Sequence, residues 1–343
     1  MIAPATSSDP DGCRNFWFAN KAGTTKMEQS IITAGIDTSK AKLDIALHGT
    51  SQHWQVENTL KGWRQLANIF AKEGVTRAGI EASGGYERGV VAHLRQNGIT
   101  VILLQPIQVR AFARARLQRA KNDKIDAVFI AACAASISDV RQPPDPRLEE
   151  LAQYLTFIDQ IDEDVARIAT RLEHTRDPRL VGLAKSDIKK LRTRRAAELA
   201  RIVKKLRAHD DLARRLDLIA SVPGIGEPTA LAILVRMPEL GRISREEAAS
   251  LAGLAPFDDD SGKHKGQRHI AGGRGRLRRM LFCAALPAAF RWNAALIALY
   301  KRLMARGKTH KSALTACARK LIIYANTVVE RGTPWVAKTA AQA

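Results

Sequence analysis

No uninterrupted apolar run in this 343-residue chain approaches the roughly 20 residues that a helix needs to cross a bilayer, so no membrane partner is expected. Cysteine is scarce. Cys13, Cys133, Cys283 and Cys317 are scattered, with no pair at zinc spacing, and read as buried or incidental thiols of a reducing compartment. Residues 1–29 lack periodicity and the apolar core of a signal peptide; with Met27 just before the first strand, they read as a disordered leader or an over-long start. Acids are in short supply as well: 34 Asp and Glu face 55 Lys and Arg, a net charge of +21 with a pI near 10.3. That balance suits a polyanion. At 45% apolar content the chain can fill two or more domains.

Four of those few acids stand out by position. Asp37 lies in ITAGIDTSKAKLDIAL and Glu81 in RAGIEASGGYE, each at the end of an apolar, β-type run. Asp123 and Asp126, in AKNDKIDAVFIAA, are three apart at the start of an expected helix and so share one helical face. Singly, each fits a cap, a loop acid or an acidic first turn. Together they suggest a hard divalent cation, because like charges repel unless a cation holds them. Such a site suits phosphodiester cleavage. Asp44 falls mid-strand in an alternating pattern and reads as solvent-facing, outside the set.

The expected elements run in a recognisable order. Residues 31–36, KLDIALHG and HWQVENT read as three strands, and Trp63, Leu66, Ile69 and Phe70 mark a helix that stops at Gly74. RAGIEAS, YERGVVAHLRQNG and TVILLQP then alternate strand, helix, strand. This is the order of a ribonuclease H-like α/β sheet, whose functional residues collect at strand ends. Pro143, Pro144 and Pro146 end that domain. From Leu148 to Leu172 apolar residues recur at steps of three and four, a nearly heptad seam, and a second, strongly basic helix carrying Ile188, Leu191, Ile202 and Leu206 runs back after Pro178.

Beyond Asp217, LDLIASVPGIGEPTALAILVRM reads as a helix-hairpin-helix, with Gly224 and Gly226 permitting a tight turn whose backbone N–H groups suit a phosphate. From Lys263 to Arg279 every charged residue is basic. Lys263, Lys265, Arg268, Arg274 and Arg276 are candidate nucleic-acid contacts on a mobile loop, with no stable helix expected before Arg276. Asp258, Asp259 and Asp260 interrupt this basic character just ahead of it.

GIDTSKAKLDIAL, GIEASGGYE, the NDKIDA box, PGIGEPTALAIL and LAGLAP followed by SGKHKGQ together resemble the DEDD transposases of the one-hundred-and-ten insertion-sequence family, the bridge-RNA-guided recombinases. The likeness spans about 31–328. It implies a RuvC-type ribonuclease H-like catalytic domain over 30–141 and a coiled-coil helical hairpin over 147–215. A mainly α transposase domain with the helix-hairpin-helix would occupy 216–330, and a tail 331–343. It also implies an acidic tetrad of Asp37, Glu81, Asp123 and Asp126 holding one or two Mg²⁺, with Mn²⁺ able to substitute. Ser261 falls at the family's nucleophile, which forms a 5′-phosphoserine. The implied partners are donor and target DNA duplexes, a noncoding bridge RNA and further copies in a dimer of dimers. The implied location is the bacterial cytoplasm, with nucleoid association on DNA. Two alternatives stand beside this: a hydrolytic nuclease or junction resolvase using only the tetrad, and a nucleic-acid-binding protein on an inactive scaffold.

Overall fold

The computed structural model describes residues 31–116, 123–140, 143, 145–257, 260–261, 264–266 and 268–336. It divides into two compact units at Gln142–Pro143.

The first unit is built on five strands: β1 (Thr33–Thr38), β2 (Lys42–Leu47), β3 (His53–Glu57), β4 (Arg77–Glu81) and β5 (Thr100–Leu104). Their order in the sheet is β3-β2-β1-β4-β5. The first three pair antiparallel through short turns, whereas β4 and β5 join β1 in parallel. Parallel neighbours need crossovers, and the helices α1 (Leu60–Glu73) and α2 (Arg88–Gln96) supply them. The expected mixed sheet is present. Thr59 caps the start of α1 and Gly74, at φ +67°, ends it in the left-handed region.

Both faces of the sheet are covered. Ala34, Ile36, Leu43, Ile45, Ala78 and Ile80 point to the α1 and α2 side, where they meet Leu66, Phe70, Val90 and Leu94. Ile102 and Leu104 point the other way, towards α3 (Pro106–Ala115) and α4 (Asp123–Ala135). On that second face α4 lies unusually close, and two glycines explain it. Gly35 on β1 and Gly79 on β4 are level across the parallel ladder. A Cβ on Gly35 would sit 2.1 Å from the Ala127 carbonyl oxygen, and one on Gly79 2.5 Å from the Ala134 Cβ.

The second unit is helical. The helices α5 (Pro146–Leu172) and α6 (Pro178–Arg207) pack together, each opened by an aspartate cap, Asp145 or Asp177, followed by proline. Leu148, Leu151, Leu155 and Ile158 of the seam are buried in the unit's core with Ile202 and Leu206. Val165, Ile168, Leu172, Ile188 and Leu191, nearer the connecting turn, are only half-buried. Then come α7 (Asp210–Ala220), α8 (Glu227–Arg236) and α9 (Arg245–Leu251). Four two-residue strands follow: β6 (Pro256–Phe257), β7 (Asp260–Ser261), β8 (His264–Lys265) and β9 (His269–Ile270). The helix α10 (Gly275–Pro287) runs into a π-helical turn (Ala288–Trp292), before α11 (Ala294–Ala305) and α12 (His310–Arg331). Among the described residues no single helix is long and apolar enough to cross a membrane.

Candidate active site

Strand alternation decides which acids share a face. Side chains alternate along a strand, so Asp37 shares the α4 face with Gly35, and Glu81 shares it with Gly79. Continuing the parallel register past Ile36–Ile80 sets Asp37 and Glu81 level on neighbouring strands. Asp126 immediately precedes Ala127, the residue seated on Gly35. The far end of α4 lies at the opposite end of the sheet, where the Arg77 guanidinium donates to the Ile137 carbonyl at 3.1 Å. The first turn of α4 therefore lies towards the carboxyl ends of β1 and β4. Asp37, Glu81 and Asp126 are all half-buried there. Asp123 opens the same turn, but its side chain lies outside the described residues.

The donors are hard carboxylate oxygens, the chemistry that fits Mg²⁺ or Mn²⁺ rather than a soft metal. Among the described residues, no three His, Cys, Asp or Glu side chains converge closely enough to hold an ion. The sheet and helix thus supply the face and the level, while the fourth acid belongs to a side chain that is not described.

Asp44 corrects an expectation. It is 3% exposed, not solvent-facing. It lies directly opposite Asp37 across the β1–β2 ladder and so shares the α4-covered face. Its Oδ1 accepts from Gln55 Nε2 at 2.7 Å, Oδ2 is 3.3 Å from Lys42 Nζ, and His53 Nε2 stands 4.0 Å away.

A second acid escaped sequence reasoning altogether. Glu87, at the start of α2, is buried, and its Oε2 accepts from Gly85 N at 2.8 Å, Ser83 Oγ at 2.9 Å and Ser83 N at 3.1 Å. Burial pushes this carboxyl up, but hydrogen bonds from the backbone of Glu87, Gly85 and Ser83 and from the Ser83 hydroxyl more than offset it and hold the pKa below its ordinary value. The carboxylate ties down the Ser83–Gly85 loop that follows Glu81. A sequence signal existed in the Ser-Gly-Gly turn just upstream.

In the second unit, Ser261 lies on β7 with His264 as its Cα partner on β8. Phe257 pairs with His269 on the β6–β9 ladder. The described residues of the segment expected as a mobile loop thus pair in short antiparallel ladders before α10 begins. Lys263, Asp258 and Asp259 lie outside the described residues, as do the side chains of Asp260, Ser261 and Lys265.

The remaining candidate contacts have varied surroundings. Gly224 has φ +101°, and a Cβ there would sit 2.3 Å from the Ala288 Cβ, so close packing alone demands glycine. Gly226 is open, with only Pro228 Cδ at 3.8 Å, and it caps α8. Arg274 makes a two-pronged pair with Glu239 at 2.6 and 3.1 Å. Arg276 reaches Asp159 at 3.2 Å and Glu163 at 3.9 Å. Both arginines are partly committed within the fold. Arg268 is exposed.

Comparison with known families bears on these features. A transposase model of the DEDD IS110 type matches residues 34–177, and a model described as the transposase IS116/IS110/IS902 family matches 216–301. The chain belongs to the IS110 transposase family. It is an enzyme that cleaves DNA and transfers strands, and the family's acidic set implies use of a divalent metal. The chain is 26% identical to the pilin gene-inverting protein of Moraxella bovis over 316 residues, 88% of this chain and 96% of that one. The corresponding protein of Moraxella lacunata matches equally. An uncharacterized 43.6 kDa protein of insertion element IS110 from Streptomyces coelicolor is 35% identical over 118 residues, 34% of this chain and 29% of that one. Two solved structures of RuvC from Thermus thermophilus are also similar. One, in complex with a Holliday junction substrate, has a TM-score of 0.26 at 13% identity, covering 30% of this chain and 91% of that one. The other has a TM-score of 0.22 at 15% identity, covering 33% and 83%. The ribonuclease H-like reading of the transposase's first unit rests on its own strand order.

Proposed function

We propose that this IS110-family transposase is a site-specific recombinase in which Ser261 is the nucleophile and Asp37, Glu81, Asp123 and Asp126 hold Mg²⁺, one ion or two, with Mn²⁺ able to substitute. The observation that carries the metal assignment is the close seating of α4 on Gly35 and Gly79, which sets Asp126 on the same face and towards the same end of the sheet as Asp37 and Glu81. When bound, the metal supplies neutralising charge for the scissile phosphate and the leaving oxygen. The Ser261 hydroxyl attacks phosphorus; an Oγ–P bond forms, the P–O3′ bond breaks, and the serine proton ends on the departing 3′-hydroxyl. The product is a 5′-phosphoserine that retains the energy of the broken phosphodiester. A 3′-hydroxyl from another strand then displaces the serine, so strands are exchanged without ATP.

The Moraxella relatives are pilin gene-inverting proteins, and inversion supports strand exchange over plain hydrolysis. In this reading residues 30–141 form the catalytic domain, 147–215 a coiled-coil hairpin and 216–330 the transposase domain, with 1–29 a leader and 331–343 a tail. The acids of one copy work with the serine of another inside a dimer of dimers. Donor and target DNA are chosen by a bridge RNA held through its backbone and shape, in the bacterial cytoplasm.

The deciding experiment is DNA cleavage by wild-type protein and by Asp37→Asn, with and without Mg²⁺, alongside DNA binding. Cleavage should require Mg²⁺ or Mn²⁺ and vanish in Asp37→Asn, while binding survives because one lost charge barely alters a surface of net charge +21. Full recombination by Asp37→Asn would overturn the metal assignment.

A further inference from the structure

The described surface of the second unit carries an aromatic group that the proposed chemistry does not use. Phe290 and Trp292, in the π-helical turn, are 51% and 61% exposed. The Phe290 ring lies 5.0 Å from that of Tyr300 on α11, and His310, at the start of α12, meets Tyr300 at 5.8 Å between centroids. The Tyr300 hydroxyl and His310 Nδ1 are hydrogen-bonded at 2.7 Å.

Their exposure is fixed by the fold. Large aromatic side chains gain by burial, so a rigid turn must hold these out. At one end of the turn, buried Ala288 is packed against Gly224. At the other, buried Asn293 donates from Nδ2 to the Pro223 carbonyl at 3.1 Å and caps α11 by accepting from Leu296 N at 3.2 Å. Both ends are thereby pinned to the helix-hairpin-helix turn, and Phe290, Arg291 and Trp292 project from a braced bulge. Such π-helical insertions are frequent at functional sites. Trp292 also borders a groove that passes Gly226 and Arg279 and that Asp159, Asp162 and Glu163 of α5 line on another side.

The chain segment that carries the rings has charge of one sign. From Ser261 through Val329 the chain contains no Asp or Glu. Arg291, Lys301, Arg302, Arg306, Lys308 and Lys311 are all exposed in and beside the aromatic group. A second copy of the same surface would be repelled by that charge. Duplex DNA would satisfy the cations but leave the ring faces without partners, since stacked bases are inaccessible. Unpaired bases satisfy both, with rings stacking on bases and cations meeting phosphates.

We propose that the Phe290, Tyr300 and His310 cluster, with Trp292 as a separate exposed ring two residues along the same turn, stacks against unpaired bases of a DNA strand. This rests on the reading of the chain as a strand-exchanging enzyme, which must unpair bases while a strand leaves one duplex for another.

The test compares full-length wild type with the double variant Phe290→Ala/Trp292→Ala on three labelled probes: a perfect duplex, the same duplex with a short central bubble, and single-stranded RNA. Wild type should bind the bubble about tenfold or more tighter than the duplex, and the double variant should lose that preference while binding the duplex as before. A retained preference in the variant, or none in a wild type that still binds duplex, overturns the platform and leaves the recombinase reading standing. Failure of wild type to bind any DNA would instead overturn that reading. Tighter RNA binding that disappears in the variant overturns the DNA assignment in favour of RNA, and a change in oligomeric state points to a contact between copies. If the alanine pair does not fold, Phe290→Tyr/Trp292→Phe should keep the bubble preference. 5-Iodouracil in the bubble should also photo-crosslink to the wild-type peptide around Phe290–Trp292, and absence of that crosslink overturns the proposal.

Discussion

Asp37 and Asp44 face each other directly across the β1–β2 ladder, two carboxylates on adjacent strands and on the face that α4 covers. Like charges placed this way destabilise a sheet. Gln55, donating to Asp44 at 2.7 Å, and Lys42, at 3.3 Å, offset that cost at Asp44. Asp44 is therefore placed to act on a cation at Asp37 through its charge, without touching substrate. Asp44→Asn should lower DNA cleavage by roughly 10- to 100-fold, as losing an outer partner of a metal ligand does, and raise the Mg²⁺ concentration needed for half-maximal rate. Duplex binding should be retained. Wild-type cleavage at limiting Mg²⁺ would show that Asp44 serves the sheet alone.

The approach of α4 to the sheet gives a sharper structural test. A Cβ on Gly35 would lie 2.1 Å from the Ala127 oxygen and 2.2 Å from the Ala131 nitrogen, both backbone atoms that cannot swing aside. Gly35→Ala should force α4 outward, costing about 1–3 kcal/mol or more, and should abolish cleavage because Asp126 moves with the helix. Gly182 on α6 meets nothing within 4 Å. Gly182→Ala should instead stabilise the protein by about 0.5–1 kcal/mol through lower backbone entropy in the unfolded chain. Urea denaturation of both variants, read beside cleavage, separates the two outcomes.

Glu87 makes a pH prediction whose sign follows from its partners. Its folded pKa is held below the ordinary 4.5 by the hydrogen bonds that outweigh burial. The carboxylate's contribution is therefore complete above that ordinary value, declines below it as the unfolded chain takes up the proton first, and is gone once pH falls through the folded pKa. Glu87→Gln should be less stable than wild type at neutral pH, with the gap shrinking as the solution is acidified below about 4.5. Denaturation at several pH values measures it. A gap that is constant with pH would mean that shape rather than charge holds the Ser83–Gly85 loop.

The sheet was legible because its strands are apolar runs punctuated by Gly and short turns, and the strand-end placement of Asp37 and Glu81 was legible because they close such runs. Asp44 was misread for a physical reason. A polar residue in an alternating strand faces water only if that face is open, and here α4 covers it, seated by glycines far away in sequence. Gly224 is a similar case: its phosphate-binding appearance hid a packing demand set by Ala288. Arg274 and Arg276 looked like surface cations, yet Glu239 and Asp159, which pair with them, lie well upstream where local pattern cannot connect them. The π-helical turn left no periodic signal because it is held from both ends by the residues around Pro223 and Gly224.

Ser261 separates a recombinase from a hydrolytic nuclease. It lies on a two-residue strand paired with His264, so its backbone is held by a ladder and removing its hydroxyl should leave that ladder intact. Wild-type protein incubated with labelled DNA and Mg²⁺ should carry label through a denaturing gel, because the Oγ–P bond survives unfolding. A nicked suicide substrate should raise the yield, since the strand bearing the attacking 3′-hydroxyl diffuses away and the reverse step is lost. Ser261→Ala should lose both adduct and recombination while still binding DNA. Ser261→Cys should keep at most a trace, its thiolate being nucleophilic but poorly matched to a metal-bound phosphate. Asp37→Asn should also lose the adduct if acids and serine serve one step. Recombination by Ser261→Ala, or cleavage that never leaves a protein-linked strand, would hand the reaction to water activated at the acidic site, and the enzyme would then be a nuclease of the junction-resolving kind.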